Sequence, residues 1–275
     1  PVYIKKNNEV FLCKISEIAE KFGDGIWKKC TESGKETKEY CQLENIQTWS
    51  EQGWTKLNVV IKHKLVSYKK MYRILTNKGL VDVTDDHSCL TINGNEISPK
   101  NMNTYTELLH CSMNENIKNI NDFLSMNFHE NQISSALIFR ILEKHNNNIN
   151  ISYENNKYIV SINNKNDSTS NKVKKIIELQ DYNDYVYDLT TENHHFAAGI
   201  GNLIVHNTDS VFINFSDTIR LRNPEKTLTE RDLLKQSIVL GEEAAEHINS
   251  FMKAPQNIEY EKTFWPFCIF SKKRY

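Results

Sequence analysis

The chain has 275 residues, of which 39 % are hydrophobic and 25 % are charged, and its formal net charge is -1. This composition permits a packed globular core in one or two domains, and the near-neutral total gives no support to a uniformly basic nucleic-acid-binding protein. No apolar run approaches the roughly 18 residues of a membrane-spanning helix, so we expect a soluble protein without membrane partners.

Residues 1–110 alternate short β-type runs with Gly, Asn and Asp, a pattern that is typical of an all-β domain. One helical pattern, at residues 15–22, interrupts them. The predicted strands lie at residues 2–4, 10–12, 56–61, 65–72 and 80–83.

Residues 111–172 are rich in asparagine, which by itself would indicate a loosely ordered insertion. However, residues 133–142 carry an apolar stripe at helical spacing, and two strand-like segments follow at 149–153 and 158–162. We therefore predict a small ordered unit that contains a helix and a hairpin.

Residues 173–207 return to β character, and residues 208–275 then change to an α+β pattern, which places a domain boundary near Thr208. Thr229 is the predicted N-cap of a long amphipathic helix. The residues expected on its inner face are Leu233, Leu234, Ile238, Ala245, Ile248 and Phe251. Strands are predicted after it, at residues 258–260 and 264–270.

The six cysteines are scattered along the chain without a CxxC pair, and no signal peptide precedes them. A zinc ribbon is therefore not expected, and we interpret them as reduced thiols of an intracellular protein. Cys13 lies within a β-type run and is expected in the core rather than as a nucleophile. The other five are Cys30, Cys41, Cys89, Cys111 and Cys268.

Four short strings carry the chemistry, and each of them alone has an ordinary reading as a turn, a cap, a surface histidine pair or a plain peptide bond. In chain order they contain Thr84 with His87, then Tyr187-Asp188-Leu189-Thr190, then His194-His195-Phe196, and finally His206-Asn207-Thr208. Together they resemble the splicing blocks of inteins, whose horseshoe-shaped β-fold is shared with hedgehog autoprocessing domains. The resemblance covers residues 1–110 and 173–207.

The resemblance implies roles for the first half of the reaction. In the family, an upstream Cys or Ser attacks its own preceding carbonyl to give a thioester or ester. His87 matches the group that protonates the departing amine, and Thr84 matches the one that helps to polarise the carbonyl. Asp188 matches the residue that orients and activates the nucleophiles.

The resemblance also implies roles at the downstream junction, where no cofactor is needed. The hydroxyl of Thr208 would take over the upstream polypeptide, and the side-chain amide of Asn207 would then attack its own carbonyl and break the Asn207–Thr208 bond. His194 and His206 match the histidines that transfer the protons of this step.

The family's upstream nucleophile stands a few residues before a Thr-Pro-Val-like string, whereas this chain begins at Pro1-Val2-Tyr3. We therefore expect cleavage at Asn207 in this chain, and ligation only in a longer precursor.

Inteins often carry a homing endonuclease at the position of residues 111–172. This segment is too short for a complete two-repeat nuclease and lacks the helical acidic motif that holds metal. We predict an eroded remnant without nuclease activity, and the alternative is an unrelated insertion.

Residues 208–275 resemble part of the palm of family B DNA polymerases. The resemblance rests on Thr208-Asp209-Ser210, on residues 258–262 and on residues 270–275. Asp209 matches the second aspartate of the YGDTDS motif, which binds Mg²⁺, while Lys273 and Tyr275 match the KxY motif, which contacts primer–template DNA.

This part of the resemblance implies primer–template DNA and deoxynucleoside triphosphates as partners, with polymerase activity restored only after splicing. The fold expected for the whole chain is a mainly β splicing domain with a small α/β insertion, followed by an α+β palm fragment.

Two alternatives stay open from the sequence. The first is a cleavage-only autoprocessing domain in the hedgehog style, against which the terminal His206-Asn207-Thr208 speaks. The second is a nucleic-acid-binding module, which the net charge does not support. The high Asn and Lys content suggests an AT-rich source genome, such as that of a large DNA virus.

Overall fold

A computed structural model describes residues 1–30, 37–85, 87–118, 130–145, 149–162, 171–206, 213–225, 227–252, 258, 260 and 263–265. The chain divides into two compact units, Pro1–Thr208 and Asp209–Tyr275. The first unit is mostly β, as the sequence predicts.

Some strands of the first unit, such as those at residues 9–13, 47–50 and 185–191, alternate buried and more accessible side chains, since one face of the sheet packs on the core. Others, such as those at residues 88–90 and 203–206, are buried throughout. In chain order they are β1 (Val2–Lys6), β2 (Glu9–Cys13), β3 (Lys28–Cys30), β4 (Lys38–Gln42), β5 (Gln47–Ser50), β6 (Gly53–Lys64), β7 (Met71–Thr76), β8 (Leu80–Thr84), β9 (Ser88–Leu90), β10 (Glu96–Ile97), β11 (Ile149–Glu154), β12 (Lys157–Ile162), β13 (Val173–Leu179), β14 (Tyr185–Thr191), β15 (His195–Ala198) and β16 (Leu203–His206). The helices of this unit are α1 (Ile18–Phe22), which follows a 3-10 turn, and α2 (Gln132–His145).

One large sheet holds most of these strands. Its order among the described residues is β10-β9-β16-β15-β1-β5-β6-β4-β3, with β14 paired to β6 and β2 paired to β1. A second sheet has the order β13-β7-β8. Fully buried side chains that include Ile4, Ile18, Leu57, Ile74 and Leu189 form the main core beneath these strands.

The insertion is an integral part of the first unit. Helix α2 and the β11–β12 hairpin contribute Leu137 and Ile151, both fully buried, to a second core that also contains Leu12 and Leu80. The helix and hairpin agree with the sequence-based expectation, but their packing against β2 and β8 was not predicted from the asparagine-rich composition.

A polar clamp joins the same hairpin to β7 and β8. The guanidinium of Arg73 donates to Asp82 through Nε at 2.8 Å and Nη2 at 2.7 Å. The same group lies over the rings of Tyr153 and Tyr158, at 4.1 and 5.2 Å from their centroids. The insertion therefore contacts the pair of strands that leads into Thr84.

The strand predicted at residues 65–72 is wrong in its first part. Lys69 donates its backbone N–H to the Val66 carbonyl at 3.0 Å, which closes a turn. Strand β7 begins only at Met71, opposite Thr84.

The second unit contains α3 (Ser216–Arg222) and α4 (Glu230–Asn249). Thr229 is the N-cap of α4, as predicted, and it forms a capping box with Asp232. On the predicted inner face, Leu233 is buried. The prediction is wrong at Ile238, which is 36 % exposed, and at Phe251, which follows the helix and is 64 % exposed. Ile258 and Tyr260 are not in a strand, and most of the strand predicted at 264–270 lies outside the described residues.

Candidate active site

Neighbouring strands bring together segments that are far apart in the sequence. In the order β9-β16-β15-β1, the strand after the Thr84–His87 string lies beside the strand that ends at His206. Next to it lies β15, and then the strand that follows Pro1. Since adjacent strands are about 4.8 Å apart, these segments fall within roughly 15 Å of one another.

The Thr84–His87 string forms a turn at the end of β8. His87 donates its backbone N–H to the Thr84 carbonyl at 3.2 Å. The next residue along, Ser88, pairs directly with His206 across β9 and β16. Buried Asp85 forms an ion pair with Lys100 at 2.5 Å, and this contact anchors the turn. The fold therefore places His87 next in sequence to the residue that faces His206.

The two histidines in closest described contact are His195 and His206. They are direct partners across β15 and β16, and their ring centroids are 5.0 Å apart at an interplanar angle of 56°. Each imidazole also meets a carboxylate through Nδ1: Glu51 lies 2.6 Å from His195, and Glu96 lies 3.3 Å from the nearly buried His206.

The predicted residue His194 lies in the turn before β15 rather than in the strand. Its φ is +61°, a left-handed conformation that histidine adopts more often than most residues. Its backbone N–H donates to Thr191 at 3.3 Å. Because side chains alternate along a strand, it is His195 whose register places it opposite His206.

Asp188 lies on β14 opposite Ile61 of β6, which is a different strand pair from that of the histidines. Its Oδ1 accepts the Leu189 backbone N–H at 2.8 Å.

The remaining predicted site residues lie outside the described residues. These are Asn207, Thr208, Asp209, Lys273 and Tyr275. His206 is therefore the last described residue before the predicted scissile bond.

A glycine-containing loop fixes the hairpin that presents His206. Ile200 exchanges both backbone hydrogen bonds with Leu80, at 2.8 and 2.9 Å. Gly199 and Gly201 have φ values of +75° and +78°, and a Cβ at either position would collide with a backbone carbonyl of residues 78–80. This close approach ties β15 and β16 to the start of β8, the strand that carries Thr84.

Sequence reasoning missed three residues of this arrangement: Glu51, Glu96 and His195. The two glutamates are remote from the histidines in sequence, so no local motif could reveal them. Strand alternation could have favoured His195 over His194 only if the start of β15 had been known.

Cys13 is buried, as expected, and burial raises the pKa of its thiol to about 12, so it is a poor nucleophile. No disulfide forms among Cys13, Cys41, Cys89 and Cys111. Across the described ranges, no group of three or more His, Cys, Asp or Glu side chains is arranged to hold a metal ion. Among the helices that the structure describes, none is long and apolar enough to cross a membrane.

The known proteins that this chain resembles include DNA polymerases. A DNA polymerase of Acanthamoeba polyphaga mimivirus is 25 % identical over 409 aligned residues, which span 98 % of this chain and 23 % of that protein. A DNA polymerase of Thermococcus aggregans is 26 % identical over 282 residues, which span 100 % of this chain and 11 % of that protein. The chain thus spans less than a quarter of the length of either relative. No family model matches it.

A solved structure with a similar fold is that of the transcription factor IIB Mvu mini-intein. It is 21 % identical, covers 75 % of this chain and 96 % of its own, and has a TM-score of 0.47. The sequence matches confirm the predicted resemblance to DNA polymerases.

Proposed function

We propose that residues 1–207 are an intein that interrupts a family B DNA polymerase, which resumes at Thr208. The observation that carries this proposal is the register of β9, β15 and β16. It sets His206 between Ser88, which follows the Thr84–His87 string, and His195 of the penultimate block. This register supports the proposal, because it brings the strand that follows the Thr84–His87 string beside the strand that ends at His206.

In the proposed downstream step, the Nδ2 atom of Asn207 attacks the carbonyl carbon of the same residue. The new C–N bond closes a succinimide, and the bond to Thr208 breaks. One proton leaves Nδ2 and one reaches the departing amine of Thr208, so the two transfers balance. The imidazole of His206 is next in sequence and can accept or donate at neutral pH.

In the proposed upstream step, Thr84 and His87 serve the carbonyl and the departing amine of the first junction. The Thr84–His87 turn ends near β9, which pairs with β16. The hydrogen-bonded turn from Thr84 to His87 and the Asp85–Lys100 ion pair support a fixed geometry for Thr84 and His87. Asp188 and His194 keep their proposed roles in nucleophile activation and proton transfer.

Expression of the complete precursor, with its natural upstream and downstream parts, tests splicing against cleavage alone. Mass spectrometry should show an excised intein and a ligated polymerase whose junction continues at Thr208. Separated fragments without any ligated product would favour the cleavage-only alternative. Unprocessed precursor would contradict both.

The polymerase part of the proposal rests on sequence. Asp209 would supply a carboxylate to Mg²⁺, an oxygen ligand of the kind that this cation prefers, and Lys273 and Tyr275 would contact primer–template DNA. An intein between the two aspartates of the motif would keep the unspliced enzyme inactive. Primer extension by a precursor that carries both His206→Ala and Asn207→Ala should be absent, and near-wild-type extension would contradict the proposal.

We also propose that residues 111–172 are a shortened insertion without nuclease activity. The mimivirus alignment extends over 409 residues against a chain of 275, so that relative has long stretches with no counterpart here. The described part of the insertion has packed into the second core. A specific double-strand cut in the intein-free target gene with Mg²⁺ would contradict this interpretation.

A further inference from the structure

Two acid–histidine pairs stand side by side at the end of β15 and β16. Glu51 with His195 and Glu96 with His206 both bond through Nδ1, and the two rings are 5.0 Å apart. A carboxylate at Nδ1 holds the N–H on that nitrogen, which fixes the ring orientation and leaves Nε2 as the atom that exchanges a proton.

Glu51 is held in place by the turn between β5 and β6. Ser50 and Gly53 are the last paired residues of these strands, so Glu51 lies at the tip of a tight turn. Asn193 donates to the Ser50 hydroxyl at 3.0 Å, and the same asparagine accepts the His195 backbone N–H at 3.3 Å. The turn and the start of β15 are thus locked together.

The carboxylate of Glu51 is aimed at His195 within the protein rather than at solvent. Its Oε2 atom is buried and has no hydrogen-bond partner among the described residues, so Oε1 carries the described interaction with the ring. Burial raises the pKa of this carboxyl, but the hydrogen bonds from His195, the Glu51 backbone and Gln52, together with the attraction of His195, outweigh burial, and the pKa lies below its usual value.

The two acid–histidine contacts differ in length. The contact of Glu51 with His195, at 2.6 Å, is shorter than that of Glu96 with His206, at 3.3 Å. The shorter contact holds the His195 ring in place, and this ring packs against the His206 ring with 5.0 Å between the centroids. The orientation of the His206 imidazole is therefore restricted from two sides, by Glu96 and by the His195 ring.

We propose that Glu51 and His195 are positioning residues that orient the His206 imidazole for the cyclisation of Asn207. This inference rests on the proposed function of the Asn207–Thr208 bond. Neither residue need touch the reacting atoms, because both act through the His206 ring. The titratable groups around Glu51 and His195 are Glu96, His206 and the Cys111 thiol.

The test measures release of the peptide that begins at Thr208 from the 275-residue chain, as a first-order rate across pH. Glu51→Gln preserves the side-chain shape and removes the charge, while His195→Asn keeps an N–H donor near the position of Nδ1. Each should slow release roughly ten-fold, as loss of a supporting partner does at other histidine sites. Exposed Glu44→Gln and His145→Asn are the matched controls and should leave the rate unchanged.

Two further readouts separate positioning from simple loss of stability. The double variant should be no slower than the slower single variant, since the two residues act as one unit. The pH–rate profile of Glu51→Gln should shift relative to that of the unaltered chain, because the carboxylate that contacts the His195 ring is lost. All rates are compared at a temperature at which circular dichroism shows every variant to be folded.

The outcomes are distinct. If the unaltered chain releases the peptide and both Glu51→Gln and His195→Asn release it at the same rate, this inference is overturned and the proposed function stands. Multiplicative effects in the double variant would have the same consequence. An unaltered chain that is folded and releases nothing would overturn both. Slow single variants, a non-additive double variant and a shifted profile would support the positioning role.

Discussion

The two units of the chain differ in how completely they bury their apolar side chains. In the first unit, two cores include fully buried residues from the splicing strands and from the insertion, such as Ile74 and Leu137. In the described part of the second unit, only Ile219 and Leu233 are buried hydrophobic residues, while Leu221 and Phe251 are 81 % and 64 % exposed. Among the described residues, the first unit thus has two apolar cores, whereas the second has two buried hydrophobic side chains.

This difference is what the proposed function predicts for an inserted domain and a fragment of its host. An inserted domain that is excised has to fold on a core made of its own residues. A fragment of a larger domain leaves apolar residues for packing partners that lie elsewhere in the host. Under the proposed function, the exposed apolar residues of α4 would therefore face other parts of the polymerase.

The largest expected effect concerns residues 209–275 expressed alone. With so little buried apolar surface, this fragment should lack a cooperative thermal transition, whereas residues 1–206 should unfold cooperatively near the midpoint of the whole chain. Calorimetry of the two fragments and the whole chain measures this. A cooperative thermal transition in the isolated fragment 209–275 would contradict the stated difference between the two units.

Side-chain truncations in one helix of each unit should show the same difference between the two units. Leu137→Ala removes a fully buried side chain of α2 and should reduce the free energy of unfolding by about 4 kcal/mol. Ile238→Ala in α4 removes a side chain that is 36 % exposed, and we expect a loss below about 1 kcal/mol. Urea denaturation measures both, and equal losses would mean that the insertion is not part of the core.

The clamp between the insertion and β8 should have the next largest effect. Arg73→Ala leaves Asp82 without its bidentate partner and removes the cation from between two tyrosines, which should cost about 3 kcal/mol. Because Asp82 precedes Thr84 by two residues, upstream cleavage in the complete precursor should slow as well. Arg222→Ala on the exposed surface of α3 is the control, and a similar loss there would contradict the account.

The smallest effect is a pH dependence of the first unit. Burial lowers the pKa of the His110 imidazole from 6.5 to about 4, and its ring nitrogens bond to Gly201 at 2.7 Å and Thr76 at 3.1 Å. Between pH 6.5 and 4 the unfolded chain therefore binds a proton that the folded chain does not. The free energy of unfolding should fall by up to about 3 kcal/mol as the pH decreases through this window.

His110→Asn should remove most of that slope, and His247→Asn in exposed α4 should leave it intact. Denaturation at several pH values measures the slope for each variant. An unchanged slope in His110→Asn would assign the acid sensitivity to other groups.

Local patterns in the sequence were sufficient for elements whose signals are local. The apolar stripe at 133–142 and the Thr229 capping box predicted α2 and the start of α4, and both are present. The run at 65–72 was misread as a single strand because apolar residues on either side of a turn resemble one continuous strand. A turn hydrogen bond between Val66 and Lys69 leaves no such pattern.

The part of the site that sequence could not supply depends on long-range register. The motif led to His194, but only the pairing of β15 with β16 reveals that His195 faces His206. Glu51 reaches this pair through a turn that lies more than a hundred residues earlier in the chain. In the same way, an asparagine-rich composition concealed an insertion whose few apolar residues fill the second core.

The most direct test of the central claim is to incubate the purified 275-residue chain near neutral pH and to follow its products by mass spectrometry. We predict release of a peptide that begins at Thr208, together with a fragment ending at Asn207 that is lighter than its hydrolysed form by one water, as a succinimide requires. Asn207→Ala should abolish both products. A folded chain that stays intact, or an Asn207→Ala variant that releases the same peptide at the same rate, would contradict the account.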